Sequence, residues 1–326
     1  MLRARIIGTG HYLPERVLTN SDLEHLMDTT DEWIRQRTGI LQRHIAADDE
    51  AASDLAAHAS SRALERAGIA ATDVDYIICA TLTPDYFMPS SACLVQHKVG
   101  AFRAGACDIN AACSGFMYGV QQADALIRAG VHKTILVIGT EIMTARLDWT
   151  KRDTAVLFGD GAGAVVLRGD TSGAGILSTY TASDGSGYDV LMVPAGGSAQ
   201  VITPENINEL NRGILMNGRE LYKRAVHAFG DAVEQALLRA GVQVDDLRLF
   251  VPHQANRRII VAAAERVGLP EEKIYLNVDR VANTSAASIP IALDQAYEEG
   301  RLAQGNLVLL AAFGAGLTWG SAVVKW

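Results

Sequence analysis

Residues 63–78 read "ALERAGIAATDVDYII", and residues 236–251 read "ALLRAGVQVDDLRLFV". The two stretches align without a gap: Ala-Leu-x-Arg-Ala-Gly, then a β-branched residue, then an Asp ahead of an apolar run. They lie 173 residues apart, about half of the 326-residue chain. At the similar offset of 170, Cys113 falls opposite Asn283 and Gly130 opposite Gly300, each glycine closing a helical run. A third pair, "FGDGAGAVVL" from Phe158 and "FGAGLTWGSAVV" from Phe313, lies 155 residues apart, so the first half carries extra residues between these landmarks. One match between Ala-rich helices arises readily by chance; three collinear matches do not. A repeat of this length means duplicated halves, because solenoid units run only ~20–50 residues.

Between these landmarks, apolar runs such as "YIICATL", "ILVIGTE", "GAVVLRG", "LFVPH" and "LVLLAAFG" alternate with amphipathic stretches at 51–67 and 219–240. That rhythm predicts an α/β fold with buried, mostly parallel strands, one sheet in each half. The segment 184–218 has little periodicity and much Gly, Asn and Pro, so it reads as a long connection between the halves. Connections of that length are usually functional.

Composition narrows the class. Hydrophobic residues make up 49%, with 30 glycines and only 8 prolines, which describes a compact globule ordered nearly end to end. The opening "MLRARIIGTGHYLPERV" has too short an apolar run for a signal peptide, and no window approaches the ~20 apolar residues of a membrane span. A cytoplasmic protein without a membrane segment is expected. The four cysteines form no CxxC pair and have no histidine at ligand spacing, so neither a metal site nor a disulfide framework is expected. A net charge of -8 argues against nucleic-acid binding while leaving room for a local basic patch facing an acidic partner.

Three stretches have the makings of a reactive site. In "DINAACSGFMYGV", 108–120, Cys113 sits where a strand end gives way to a helix. Unpaired N–H groups and the helix dipole there favour a thiolate and lower the thiol pKa from its free value of ~8.5. The small neighbours Ala111, Ala112, Ser114 and Gly115 leave room for a substrate. The competing reading, a small buried hydrophobe in an Ala-rich turn, suits Cys79, Cys93 and Cys107 equally well. His253 in "VPHQANRR" ends an apolar strand at the edge where α/β sites gather. Asn283 in "NTSAASIP" is placed to cap a helix, and its alignment with Cys113 suggests that both turns face one cleft. The closing "FGAGLTWGS" is a Gly-rich turn able to approach a ligand closely. Neither "GTGHYLP" nor "GDGAGA" fits a dinucleotide fingerprint or a P-loop.

Taken together, "AACSGF", "VPHQAN" and "ANTSAAS" closely resemble the β-ketoacyl-acyl-carrier-protein synthase III family, the initiating condensing enzymes of type II fatty-acid synthesis. The resemblance runs from "IIGTGHYLPERVLTN" and "TDEWIRQRTGI" to "FGAGLTWGSAVVKW". It implies the thiolase-like fold, two similar halves (1–174 and 175–326, the second including the long connection) in a five-layered αβαβα sandwich, assembled as a homodimer. It implies a catalytic triad of Cys113, His253 and Asn283. The backbone N–H of Cys113, with one from the turn at Ala315, would form an oxyanion hole; many relatives carry a glycine where this chain has Ala315. Trp33 and Arg152 match residues that sandwich the coenzyme A adenine, with Arg37 near its phosphates and Asn256 also on the coenzyme A side. Gln254, Ala255, Asn256, Arg257 and Arg258 match the docking face for the acidic acyl carrier protein, which Arg219, Lys223 and Arg224 would extend. Phe87 and Met88 match the region bounding the partner's acyl pocket. Coenzyme A enters as part of the acyl-CoA substrate, and no tightly bound cofactor is implied. Competing readings are a specialised acyltransferase or ketosynthase of the same superfamily with another acceptor or a longer primer, and, from another class, a papain-like Cys/His/Asn hydrolase, whose nucleophile sits near the mature N-terminus. A non-catalytic coenzyme A-binding protein is the last.

Overall fold

A computed structural model describes residues 2–326. The repeated Ala-Leu-x-Arg-Ala-Gly motifs end two helices, Ala52–Ala67 (α2) and Gly218–Ala240 (α5), each closed by a left-handed glycine, Gly68 or Gly241, at φ 65°. Strands Tyr76–Ala80 (β2) and Leu249–Pro252 (β7) then follow at the same spacing.

Nine strands build two sheets. The first contains Arg3–Tyr12 (β1), β2, Gly105–Ile109 (β3), Thr134–Ile142 (β4) and Asp160–Asp170 (β5), in spatial order β1-β5-β4-β2-β3. The second contains Gly175–Ser183 (β6), β7, Leu307–Gly314 (β8) and Thr318–Lys325 (β9), in spatial order β6-β9-β8-β7. These orders correspond strand for strand, and a lone parallel bridge from Phe250 to Ile274 stands where β3 stands in the first sheet.

Helices separate and cover the sheets. Gly115–Arg128 (α4) and Ser288–Glu298 (α7) lie between them, burying Phe116, Val120, Ile127, Ile289 and Leu293 against Val137 and Leu167 of one sheet and Val251 and Leu310 of the other. Leu55, Ala59 and Ala63 of α2 and Val95 of Ser91–Val99 (α3) cover the outer face of the first sheet. Phe229 and Val233 of α5, with Ile260 of Arg257–Arg266 (α6), cover that of the second. The result is the expected αβαβα sandwich. No helix among the described residues is long and apolar enough to cross a membrane.

Three expectations need correction. The strands are not mostly parallel: β2 runs parallel to β3 and β4, and β7 to β8, but β5 is antiparallel to β1 and β4, and β9 to β6 and β8. Both faces of each sheet are covered by helices, so antiparallel strands also read as unbroken apolar runs. The segment 184–218 does not join the halves; β6 precedes it, and its short strands Leu191–Met192 and Leu215–Met216 pair with each other. Finally, α4 and α7 start 173 residues apart, so the turn Ala112–Ser114 corresponds to Ser285–Ala287, and Cys113 faces Ala286 in the repeat rather than Asn283. Ala112 and Ser285, which open these turns, share a positive φ of 46° and 49°.

Candidate active site

Cys113 sits in the one-turn 3₁₀ segment between β3 and α4, 7% exposed. Its small neighbours do not all leave room for substrate. A Cβ on Gly115 would lie 3.0 Å from Ala80 Cβ, and the Ser114 hydroxyl is committed to Thr318 O at 3.0 Å. Thr318 Oγ1 in turn donates to Ala111 O at 2.8 Å and Ala315 O at 3.1 Å, latching the β8–β9 turn onto the Cys113 turn. Gly314 comes so close that a Cβ there would lie 2.8 Å from Cys113 N.

Burial dominates the thiol. It pushes Cys113 up to about 12, the nearby Glu141 charge acting in the same direction, while a hydrogen bond from Ser285 and one from its own backbone N–H oppose the rise. Burial thus places the thiol above its free value, where a helix terminus alone would lower it.

His253 follows the last residue of β7 and its backbone N–H donates to Ala311 O at 2.8 Å. Its Nδ1 lies 2.6 Å from Ser288 Oγ, the first residue of α7. Gln254 N donates to that same Oγ at 3.3 Å, so the serine is free to give its proton to Nδ1. With the serine proton donated to Nδ1, Nε2 carries the ring hydrogen. Burial holds His253 down to about 3, which makes it a neutral imidazole.

Asn283 is pinned on both sides of its backbone, its N–H donating to Leu157 O at 3.0 Å and its carbonyl accepting from Gly159 N at 3.1 Å. Its Oδ1 accepts from Ser285 N at 2.9 Å, a bond within the turn that leaves the amide N–H2 as its donor; Thr284 and Ala287 stand at the N-caps there, so the expected helix cap is not made.

Two cavities meet at Cys113. One of about 330 Å³ runs from Trp33 and Arg37 past Asn256 and Arg258 to Cys113, His253 and Asn283. The other, about 320 Å³, leaves Cys113 on the opposite side between Leu82, Phe87, Ala112, Met143 and Ala315. Phe158 and Leu191 wall both. The long segment 184–218, of a length expected to be functional, thus borders both chambers.

The remaining predicted residues divide. Arg152 stacks on Trp33 with its guanidinium carbon 4.9 Å from the ring centroid, and Arg37 approaches the same ring to 5.9 Å. Asn256 caps α6 by accepting from Arg258 N at 2.8 Å, and its Nδ2 donates to Arg37 O at 3.1 Å, tying the α6 start to the helix Asp31–Thr38 (α1) that carries Trp33. Phe87 and Met88 are both exposed, and only Phe87 lines the second cavity. Gln254 is misplaced as a docking residue. It is 1% exposed, donates to Pro252 O and Tyr275 O, and accepts from Asn277 N and Val278 N, so it has nothing left for a partner. Ala255 borders the first cavity, Arg257 is paired with Glu271 at 2.6 Å, and Arg224 with Glu220 at 2.7 Å and Asp184 at 3.5 Å. Among the described residues no carboxylate is paired with Arg258.

Residues 107–185 match the 3-oxoacyl-[acyl-carrier-protein (ACP)] synthase III family, and residues 237–326 match the C-terminal family of the same enzymes. Beta-ketoacyl-[acyl-carrier-protein] synthase III of Caldanaerobacter subterraneus subsp. tengcongensis is 49% identical over 325 residues, covering 100% of this chain and 98% of its own. The chain belongs to the β-ketoacyl-acyl-carrier-protein synthase III family. The synthase III of Xanthomonas campestris pv. campestris is 50% identical over 323 residues, 99% of this chain and 98% of its own. The synthase III crystal structure from Aquifex aeolicus VF5 superposes with a TM-score of 0.93 at 44% identity, covering 99% of this chain and 100% of that one. Beyond Cys113, His253 and Asn283, sequence reasoning passed over Glu141, Ser285 and Ser288. Glu141 did leave a signal: a lone acid inside the apolar run "ILVIGTEIM" is costly unless several donors meet it.

Proposed function

We propose that Cys113, His253 and Asn283 carry out the initiating condensation of fatty-acid synthesis, joining an acyl-CoA primer to malonyl-acyl-carrier protein. The observation that carries this reading is that Cys113 borders both cavities, with His253 and Asn283 beside it in the first. A condensing acyltransferase needs a nucleophile reached by a long thioester arm from one side and room for an acyl group on the other.

The Cys113 sulfur attacks the primer thioester, and coenzyme A leaves through the cavity bordered by Trp33 and Arg37. Backbone N–H groups of Cys113 and the Ala315 turn hold the oxyanion. Malonyl-carrier protein then enters by the same cavity and loses CO2. The negative charge that develops on its thioester oxygen meets two neutral donors, His253 Nε2–H and the Asn283 amide. Each such preorganised donor is worth about 3–4 kcal/mol in a water-excluded site. The resulting carbanion attacks the acyl group on Cys113. Arg258 at the cavity mouth, with Arg257 beside it, receives the acidic carrier protein. The halves divide in the turn between Asp170 and Gly175, the chain acts in the cytoplasm, and two copies pair so that Phe87 and Met88 bound the partner's acyl chamber.

A second reading, a longer primer in a specialised pathway, is favoured by the 320 Å³ acyl-side chamber and by likeness to the priming β-ketosynthase of the R1128 polyketide pathway, 34% identical with a TM-score of 0.91. Incubation with malonyl-carrier protein and a series of acyl-CoAs decides. A 3-oxoacyl-carrier protein with CO2 release is the expected product, its chain length naming the primer; acyl transfer without CO2 release contradicts both.

A further inference from the structure

Acylating a buried thiol requires somewhere to put its proton. Cys113 is 7% exposed, and His253 is a poor proton acceptor because burial holds it down to about 3 and Ser288 already lies 2.6 Å from its Nδ1. Glu141, near the end of β4, is the fully buried carboxyl group beside the nucleophile. Its Oε2 accepts from Thr83 Oγ1 at 2.6 Å and Leu82 N at 3.1 Å, while Oε1 accepts from Ser285 Oγ at 3.0 Å. The Ser285–Ala287 turn packs against the Ala112–Ser114 turn that carries Cys113, and Ser285 acts on the thiol against its rise. Ser285 sits at φ 49°, a conformation a non-glycine residue keeps only where its surroundings enforce it, and its N–H is held by Asn283 Oδ1. The turn that aims Asn283 therefore also brings a hydroxyl bonded to a buried carboxylate against the turn that carries the thiol.

We propose that Ser285 and Glu141 form a proton relay for Cys113, with Glu141 acting through Ser285 rather than on the substrate. The inference rests on the acyl-enzyme reading above. In acylation the Cys113 S–H bond breaks as sulfur bonds to the acyl carbon. The thiol proton passes to Ser285 Oγ, and the serine's own proton passes to Glu141 Oε1. Coenzyme A departs with the electron pair of the broken C–S bond and takes a proton from water. In condensation the acyl–sulfur bond breaks with its pair left on Cys113, and the proton returns from Glu141 through Ser285. Burial pushes Glu141 up to about 7 against the pull of its donors, which suits a group that must both take and return a proton near neutrality. The titratable groups facing it are the thiols of Cys113 and Cys79, the latter also facing Asp85 and Asp108.

A purely structural Glu141, anchoring residues 81–83 and 285–286 to β4, predicts something different. The test is rapid-quench acylation of Cys113 by acetyl-CoA, read by intact mass from about pH 5.5 to about 9.5, together with coenzyme A affinity by fluorescence. The wild-type rate rises through an inflexion at about 7. Glu141→Gln loses that inflexion and slows acylation by about 100-fold or more at neutral pH, with coenzyme A affinity unchanged. Ser285→Ala gives the same loss, and the double variant is no slower than either single one, because the two act as a unit. Inflexions retained in both variants, or uniform slowing at every pH, overturn the relay. Should Glu141→Gln not fold, Ser285→Ala decides alone, since it removes only the bridging hydroxyl. A wild-type protein that acetyl-CoA never acylates at Cys113 overturns the acyl-enzyme reading and the relay with it.

Discussion

His253 works as a hydrogen-bond donor only in one tautomer, and Ser288 sets it. Gln254 N donates to Ser288 Oγ, and a serine proton given to Nδ1 leaves the hydrogen on Nε2. Removing the hydroxyl frees the ring to populate the wrong tautomer. Ser288→Ala should therefore slow malonyl-carrier-protein decarboxylation about tenfold or more while acylation of Cys113 proceeds at the wild-type rate; single-turnover assays of the two steps separate them, and equal loss in both would contradict this role. At this scale the sequence is informative about which side chains come together, because Cys113, His253 and Asn283, each in a recognisable setting, line one cavity. Their protonation states are not legible, since desolvation depends on what the folded chain packs around each group. That is why the thiol, expected to be lowered at a helix start, is instead pushed up to about 12.

Elements place these side chains by close approach. Gly139 in β4 lets the Ser285–Ala287 turn lie directly on the sheet; a Cβ there would meet Ala286 O at 2.2 Å and Ala286 C at 2.7 Å. Gly139→Ala must push the turn away from Glu141 two residues on, misaligning both Ser285 and Asn283. We expect this overpacking to cost about 1–3 kcal/mol in denaturant unfolding and to slow turnover by an order of magnitude or more. Wild-type turnover in that variant would contradict the close seating of the turn. Helix and strand positions were readable from the repeat because α2 and α5 end in the same Arg-Ala-Gly run. Strand direction was not. The connection from β8 to β9 is a tight return at Ala315–Leu317 that forces antiparallel pairing, while the apolar pattern of a doubly covered strand is blind to direction. The docking role of Gln254 failed for a related reason: a polar residue beside two arginines looks exposed in sequence, yet its amide closes four backbone bonds inside the fold.

The whole molecule brings one turn from each half together between two matching sheets, so the reactive centre lies on the pseudosymmetric seam of the sandwich. Its overall charge is -8, and Arg258 stands at the mouth of the cavity leading to that seam. Reversing this charge should weaken encounter with an acidic protein without touching the chemistry. Arg258→Glu should raise KM for malonyl-carrier protein about tenfold at low salt and spare acylation by acyl-CoA; equal loss of both steps would sink the docking assignment. The duplication itself was legible from three collinear matches. The pairing of Cys113 with Asn283 was not correct, because α7 is three residues shorter than α4 and only the helix starts reveal the true register. The most direct test of the account is intact-protein mass spectrometry with peptide mapping after mixing with acyl-CoA and then with malonyl-carrier protein. The account predicts an acyl adduct on Cys113 that disappears on the second addition as a 3-oxoacyl-carrier protein forms. An adduct elsewhere, or one on Cys113 that never discharges, would contradict it.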